Sequence, residues 1–165
     1  MNKVAKYIIL ILTVLFVSGC SSTTIDKKEK ISRYFVMGEA VNSSIAKRRK
    51  IPNIPNGYEK MSIKYSAMRL DEVRRILGRP LVVTSWYRSR ALNKAVGGSS
   101  TSAHRSGLAI DVMLKKGKAG KREFEKVKKK MSSYDQLIYY PYRGHLHVGF
   151  RKNRFDERQQ TMMIR

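Results

Sequence analysis

Acidic side chains are scarce in this chain of 165 residues: 12 Asp and Glu stand against 35 Lys and Arg, a formal net charge of +23. That imbalance excludes a neutral surface and directs the molecule towards anionic partners, of which nucleic acid, acidic lipid headgroups and cell-wall polymer are the candidates. Cysteine is nearly absent as well. Cys20 stands alone, so an internal disulfide and a metal site built on paired thiolates are both excluded. No repeat and no second domain are visible, and no apolar run reaches the ~20 residues of a membrane-spanning helix. What remains is the size and hydrophobic content of one ordinary domain.

The amino terminus reads MNKVAKYIILILTVLFVSGC. Lys3 and Lys6 make a positive start, Tyr7 to Val17 is apolar apart from Thr13, and small residues lead into Cys20, the pattern of a secretory signal. Val17-Ser18-Gly19-Cys20 resembles a bacterial lipobox, which implies cleavage before Cys20 and acylation of its thiol. Residues 1–19 are therefore expected to be a lipoprotein signal peptide, 20–33 a lipidated polar tether, and 34–165 the folded domain. A monomer is expected in the cell envelope, lipid-anchored to a bacterial membrane and facing the periplasm. Export disfavours nucleic acid as a partner, so the KRRK run at Lys47 to Lys50 reads as a solvated patch.

Periodicity predicts a helix from about Ser66 to Leu77, where Leu70, Val73 and Leu77 share a face and Gly78 and Pro80 stop it. A buried strand is expected in LVVTSWY from Leu81, a short helix in RALNKAV, and an amphipathic helix from about Lys121 to Met131. Two further strands divide cleanly by the two-residue alternation of a pleated chain. In GLAIDVM, Leu108, Ile110 and Val112 point one way and Gly107, Ala109 and Asp111 the other. In HLHVGF, Leu146, Val148 and Phe150 oppose His145, His147 and Gly149.

If these strands share a sheet, Asp111 and His147 stand opposite or diagonal, with Cβ atoms roughly 5 to 8 Å apart. Two ligands of one ion need about that separation, since metal–ligand bonds are about 2 Å. His104, in the loop entering the first strand, can supply a third ligand from the side. A His–Asp pair alone is equally a hydrogen bond, and a lone His-x-His is a weak motif. Their combination on faces of small residues favours a metal, and two imidazoles with one carboxylate leave zinc an open position, as catalytic sites do.

At these residues the chain resembles the zinc D-Ala-D-Ala carboxypeptidases and L-alanyl-D-glutamate endopeptidases that cut peptidoglycan peptides. The resemblance rests on TSWYRS, LNKAVGGSSTSAHRSGLAIDV, YDQLIYY and HLHVGF. Its most diagnostic part is Ser-x-His-x-x-Gly-x-Ala-x-Asp, met by Ser102, His104, Gly107, Ala109 and Asp111. It implies one zinc ion on His104, Asp111 and His147, an oxyanion-stabilising role for Arg88, and a place in the substrate groove for Ser102. It also implies an α+β fold, with a small antiparallel sheet carrying the zinc site between flanking helices, as in D-Ala-D-Ala peptidases and hedgehog-like domains. Peptidoglycan is the implied partner.

The chain departs from that family in one respect. An acid usually precedes the last zinc histidine as general base, but LIYYPYRGHLH has none, and Tyr139, Tyr140 or Gly144 stands in its place. His145 is the expected substitute, since lysostaphin-like peptidases use the first histidine of His-x-His to assist chemistry and an imidazole suits proton transfer near neutrality. Tyr140 is a candidate hydrogen-bond donor to the substrate, and Asp135, the nearest acid, is expected to cap a strand. The expected function is hydrolysis of peptide bonds in peptidoglycan stems, the alternative an inactive, zinc-containing wall-binding lipoprotein.

Overall fold

The computed structural model describes residues 24–164, so the expected signal peptide and Cys20 lie outside the described residues. Two short helices come first, α1 (Met37–Val41) and α2 (Ser44–Arg48), followed by the long α3 (Gly57–Leu77). Then come β1 (Val83–Ser85), α4 (Arg90–Ala95), a 3-10 turn at Ala103–Ser106, β2 (Ala109–Met113) and α5 (Gly117–Lys130). The chain closes with β3 (Gln136–Tyr140), β4 (His145–Gly149), a 3-10 turn at Arg154–Asp156 and β5 (Gln160–Met163). The five strands form one sheet in the order β1-β2-β4-β3-β5, antiparallel except that β5 runs parallel to β3. This is the expected α+β architecture of a small sheet flanked by helices.

Alternation splits the sheet into two unlike faces. Ile110 and Val112 of β2, Leu137 and Tyr139 of β3, and Leu146 and Val148 of β4 enter a core shared with Leu70 and Val73 of α3 and Phe124 and Val127 of α5. Tyr139 stacks on Phe124 there, with ring centroids 5.3 Å apart. The opposite face carries Asp111, His145, His147, Ile138 and Tyr140 along a cleft. Both helices lie behind the sheet, which leaves its polar face open.

Helix α3 begins nine residues before the expected Ser66. Asn56 accepts from the Glu59 N–H while the Glu59 carboxylate accepts from the Asn56 N–H, a reciprocal cap that starts the helix at Gly57. Its end is as expected, at Gly78 in the left-handed conformation. Chain inside the expected 20–33 tether also packs on the domain. Ile31 is buried, Ser32 and Arg33 donate to the Asp71 carboxylate, and the Met37 and Gly38 N–H groups bond back to Glu29 and Lys27. At the other end, the charged stretch from Arg151, which reads in the sequence as a basic tail, returns to the sheet as β5 and anchors there through Glu157, which accepts from the buried Arg69 of α3. Among the described residues no helix is long and apolar enough to cross a membrane.

Gly107 fixes where the 3-10 turn joins β2. Its φ of 74° is left-handed, and a Cβ on it would lie 2.5 Å from Cγ1 of the buried Ile63. Its carbonyl accepts from Ser66 Oγ at 2.7 Å and from Trp86 Nε1 at 3.2 Å, which ties α3, β1 and the turn together. Gly107→Ala combines backbone strain with overpacking and should destabilise the protein by about 2–4 kcal/mol. Chemical denaturation read by far-UV circular dichroism measures the loss; an unchanged midpoint would contradict this account of the turn.

Candidate metal centre

Antiparallel pairing of β2 with β4 places Asp111 directly opposite His147, with Met113 opposite His145. Ala109 and Gly149 form the neighbouring pair and leave the face beside them shallow. His104 reaches the same spot from the 3-10 turn. The Nδ1 of His147 lies 2.8 Å from Asp111 Oδ1 and the Nε2 of His104 lies 3.3 Å from Asp111 Oδ2. One donor atom from each of the three residues lies within 4.8 Å of the others, which is close to what two bonds of about 2 Å to a common ion can span.

The protonation pattern tests whether a cation fits. His104 is buried and its Nδ1 sits 2.7 Å from the Trp86 carbonyl, a group that only accepts, so the ring proton is on Nδ1. Burial lowers the pKa of His104 more than the neighbouring carboxylate raises it, and the ring is neutral. Its Nε2 therefore turns a bare lone pair towards Asp111. Burial by itself raises the pKa of Asp111, but the imidazoles of His104, His145 and His147 outweigh it and hold the carboxyl far below the ordinary carboxylate range. A neutral nitrogen lone pair facing an ionised carboxylate repels it unless a cation lies between. The donor set, two imidazoles and a carboxylate with one imidazole N–H anchored on a backbone carbonyl, suits zinc.

Arg88 is also in the site. Its Nη2 donates to Asp111 Oδ2 at 3.1 Å and its Nε to Ser85 Oγ at 2.9 Å, while its backbone N–H bonds to the His104 carbonyl. Burial lowers its pKa, although Asp111 counteracts this. An irregular register between Val83 and Ser85 brings Ser85 beside Asp111. Ser85 and the Trp86 carbonyl were not among the residues expected in the site. TSWYRS shows that a strand precedes Arg88, but the register irregularity that aims Ser85 has no mark in the sequence.

His145 points its Nε2 towards Asp111 Oδ1 at 3.5 Å, with its Nδ1 3.5 Å from Thr84 Oγ1. Tyr140 meets His145 edge to face, with centroids 5.8 Å apart. Both line a cleft of about 1150 Å³ together with Ser102, His104, Asp111 and His147. Of the positions where an acid was expected, Tyr139 faces the core, Gly144 lies in a turn with φ of 60°, and Tyr140 alone faces the cleft.

Asp135 lines the same cleft at the entry to β3, where its N–H bonds to the Gly149 carbonyl. Its carboxylate is occupied by Arg151 Nε at 2.7 Å and by Arg158 Nε and Nη2 at 2.8 and 2.7 Å. Burial raises its pKa, but hydrogen bonds from Arg158 and Arg151 outweigh burial and hold it at about 2.

The model of the Peptidase M15 family matches residues 34–149, most of the chain, and the chain belongs to that family. No curated protein matches it significantly. A peptidase of this family is a metallopeptidase acting on peptidoglycan, and the His104, Asp111 and His147 cluster supplies a place for the metal.

The clamp on Asp135 carries a sign. A carboxylate held at about 2 stabilises the fold above its unfolded pKa near 3.8, and loses that contribution as the pH falls through about 2. Asp135→Asn should therefore lower the thermal midpoint at pH 6, and the gap from wild type should close between pH 4 and pH 2. Midpoints recorded across that range decide it; a gap that persists unchanged to pH 2 removes the ionic clamp from the account.

Proposed function

From this membership we propose that the protein is a lipid-anchored zinc peptidase that cleaves peptide bonds in the stem peptides of peptidoglycan, at a D,D or an L-Ala-D-Glu bond, from a position facing the periplasm. The carrying observation is the triangle of His104, Asp111 and His147 at the base of an open cleft, with Arg88 and His145 turned onto it. The three residues would hold the ion, which supplies Lewis acidity towards a peptide carbonyl.

The chain's own residues then divide the remaining work. Arg88 fixes Asp111 through Nη2 and, anchored on Ser85 through Nε, turns a guanidinium towards the place where the carbonyl oxygen gains charge. His145 accepts the proton of the attacking water and returns it to the leaving amine, with Asp111 close enough to stabilise the imidazolium in between. Tyr140 and Ser102 line the cleft and orient the peptide. The acyl chain on Cys20 tethers the domain to the membrane, and the surplus positive charge holds it against the anionic wall.

One observation favours the second reading, an inactive wall-binding protein: Asp135 is clamped by two arginines and no acid stands before His147. Purified protein should carry about one equivalent of zinc and release peptides from sacculi. His147→Ala should lose metal and cleavage together. His145→Gln should keep the metal while the rate falls about 10²–10⁴-fold, the usual contribution of a general acid–base group. Metal analysis beside chromatography of the digest measures both. Zinc-loaded wild type that leaves sacculi and muropeptides intact removes the enzymatic reading and keeps the wall-binding one.

A further inference from the structure

The cleft continues past both ends of β4, from Tyr140 and Arg143 at one end to Arg151 and Lys152 at the other, with the ligand triangle between them. Five cationic and three acidic side chains line it. Arg88 is paired with Asp111, and Arg151 and Arg158 share Asp135. Arg143 and Lys152 are left as lining cations with no anionic partner among the described residues. Asp156 is the one lining acid outside those pairs.

The two free cations stand on opposite sides of the metal centre. Arg143 lies in the turn before His145, and Lys152 follows the end of β4 at Gly149. The four residue steps from His145 to Gly149 cover about 13 Å, and an extended peptide lying along them places about four residues there. An exposed lysine on a convex surface is merely solvated. Inside a concave cleft its field is focused on whatever occupies the space.

We propose that Arg143 and Lys152 are carboxylate subsites at opposite ends of the cleft, so that the cleft selects peptides that carry free side carboxylates along the segment seated in it. The proposal rests on the peptidase reading. It sharpens that reading, because amidation of stem carboxylates would remove the recognised charge without touching the bond that breaks.

The test uses the zinc-loaded protein and two synthetic peptides, L-Ala-γ-D-Glu-meso-diaminopimelyl-D-Ala-D-Ala and its counterpart with both side carboxyls amidated. Hydrolysis and equilibrium binding are measured in parallel. An exposed ion pair is worth a few-fold in affinity, so two subsites should favour the free acid by about tenfold in kcat/KM and in binding. Arg143→Gln and Lys152→Gln should each reduce that ratio about threefold, and the double variant should bring it near one. Lys128→Gln, on the far side of the sheet, should leave the ratio as in wild type. Hydrolysis without preference overturns the subsites and keeps the peptidase reading. Preferential binding without hydrolysis, lost in the double variant, keeps the subsites and overturns the peptidase. If neither peptide binds nor is cut, both fall.

Discussion

A carboxylate on a buried strand is the constraint around which the cleft is organised. Asp111 is ionised and almost fully enclosed, and an enclosed anion is costly unless positive charge and hydrogen bonds compensate it. Its compensation comes from separate parts of the chain, Arg88 after β1 and His145 and His147 from β4, while His104 faces it from the 3-10 turn with its ring proton turned away onto the Trp86 carbonyl. Each is held by a fixed partner rather than left as a free side chain. His104 is fixed by the Trp86 carbonyl, Arg88 by Ser85 and by its own N–H on His104, and His147 by its pairing across the sheet. The neutral ring of His104 leaves this arrangement one proton short, and that shortage makes a cation part of the design.

The centre of the site was legible because it follows from period-two alternation. Once GLAIDVM and HLHVGF are strands with greasy faces inward, Asp111 and His147 share the outward face, and only the register is left to fix. The structure makes them direct partners. Gly107 was legible as a motif residue, but its contact with Ile63, and so the reason no side chain fits there, belongs to the packing of a distant helix.

Other parts were hidden by composition. The first half of α3 carries Tyr58 and Met61 on exposed positions, which blurs the apolar stripe that marked its second half. Only the cap formed by Asn56 and Glu59 signalled the true start. The residues after Arg151 read as a basic tail because charge dominates them, yet they supply the parallel edge strand β5. A parallel partner is set by long-range packing, and nothing local in QTMM distinguishes such a strand from a loop. Residues 27–33 were hidden the same way, since Ile31 is a lone apolar side chain among charges and its burial depends on the shape of the core.

The position of the acids bears on the choice of proton acceptor in the proposed reaction. Asp135 lines the cleft, but its two oxygens serve Arg151 and Arg158, and Arg158 leads directly into β5 through the Gln160 N–H on the Asp135 carbonyl. Freeing that carboxylate to take a proton would release the clamp on the edge of the sheet. In the proposed reaction the proton goes to the His145 imidazole instead. A carboxylate that accepts a proton loses its charge beside the metal, whereas His145 gains one, 3.5 Å from an oxygen of Asp111. The same buried anion that orders the ligands then also stabilises the protonated base, so the loss of the acid before His147 does not by itself remove the means of moving a proton.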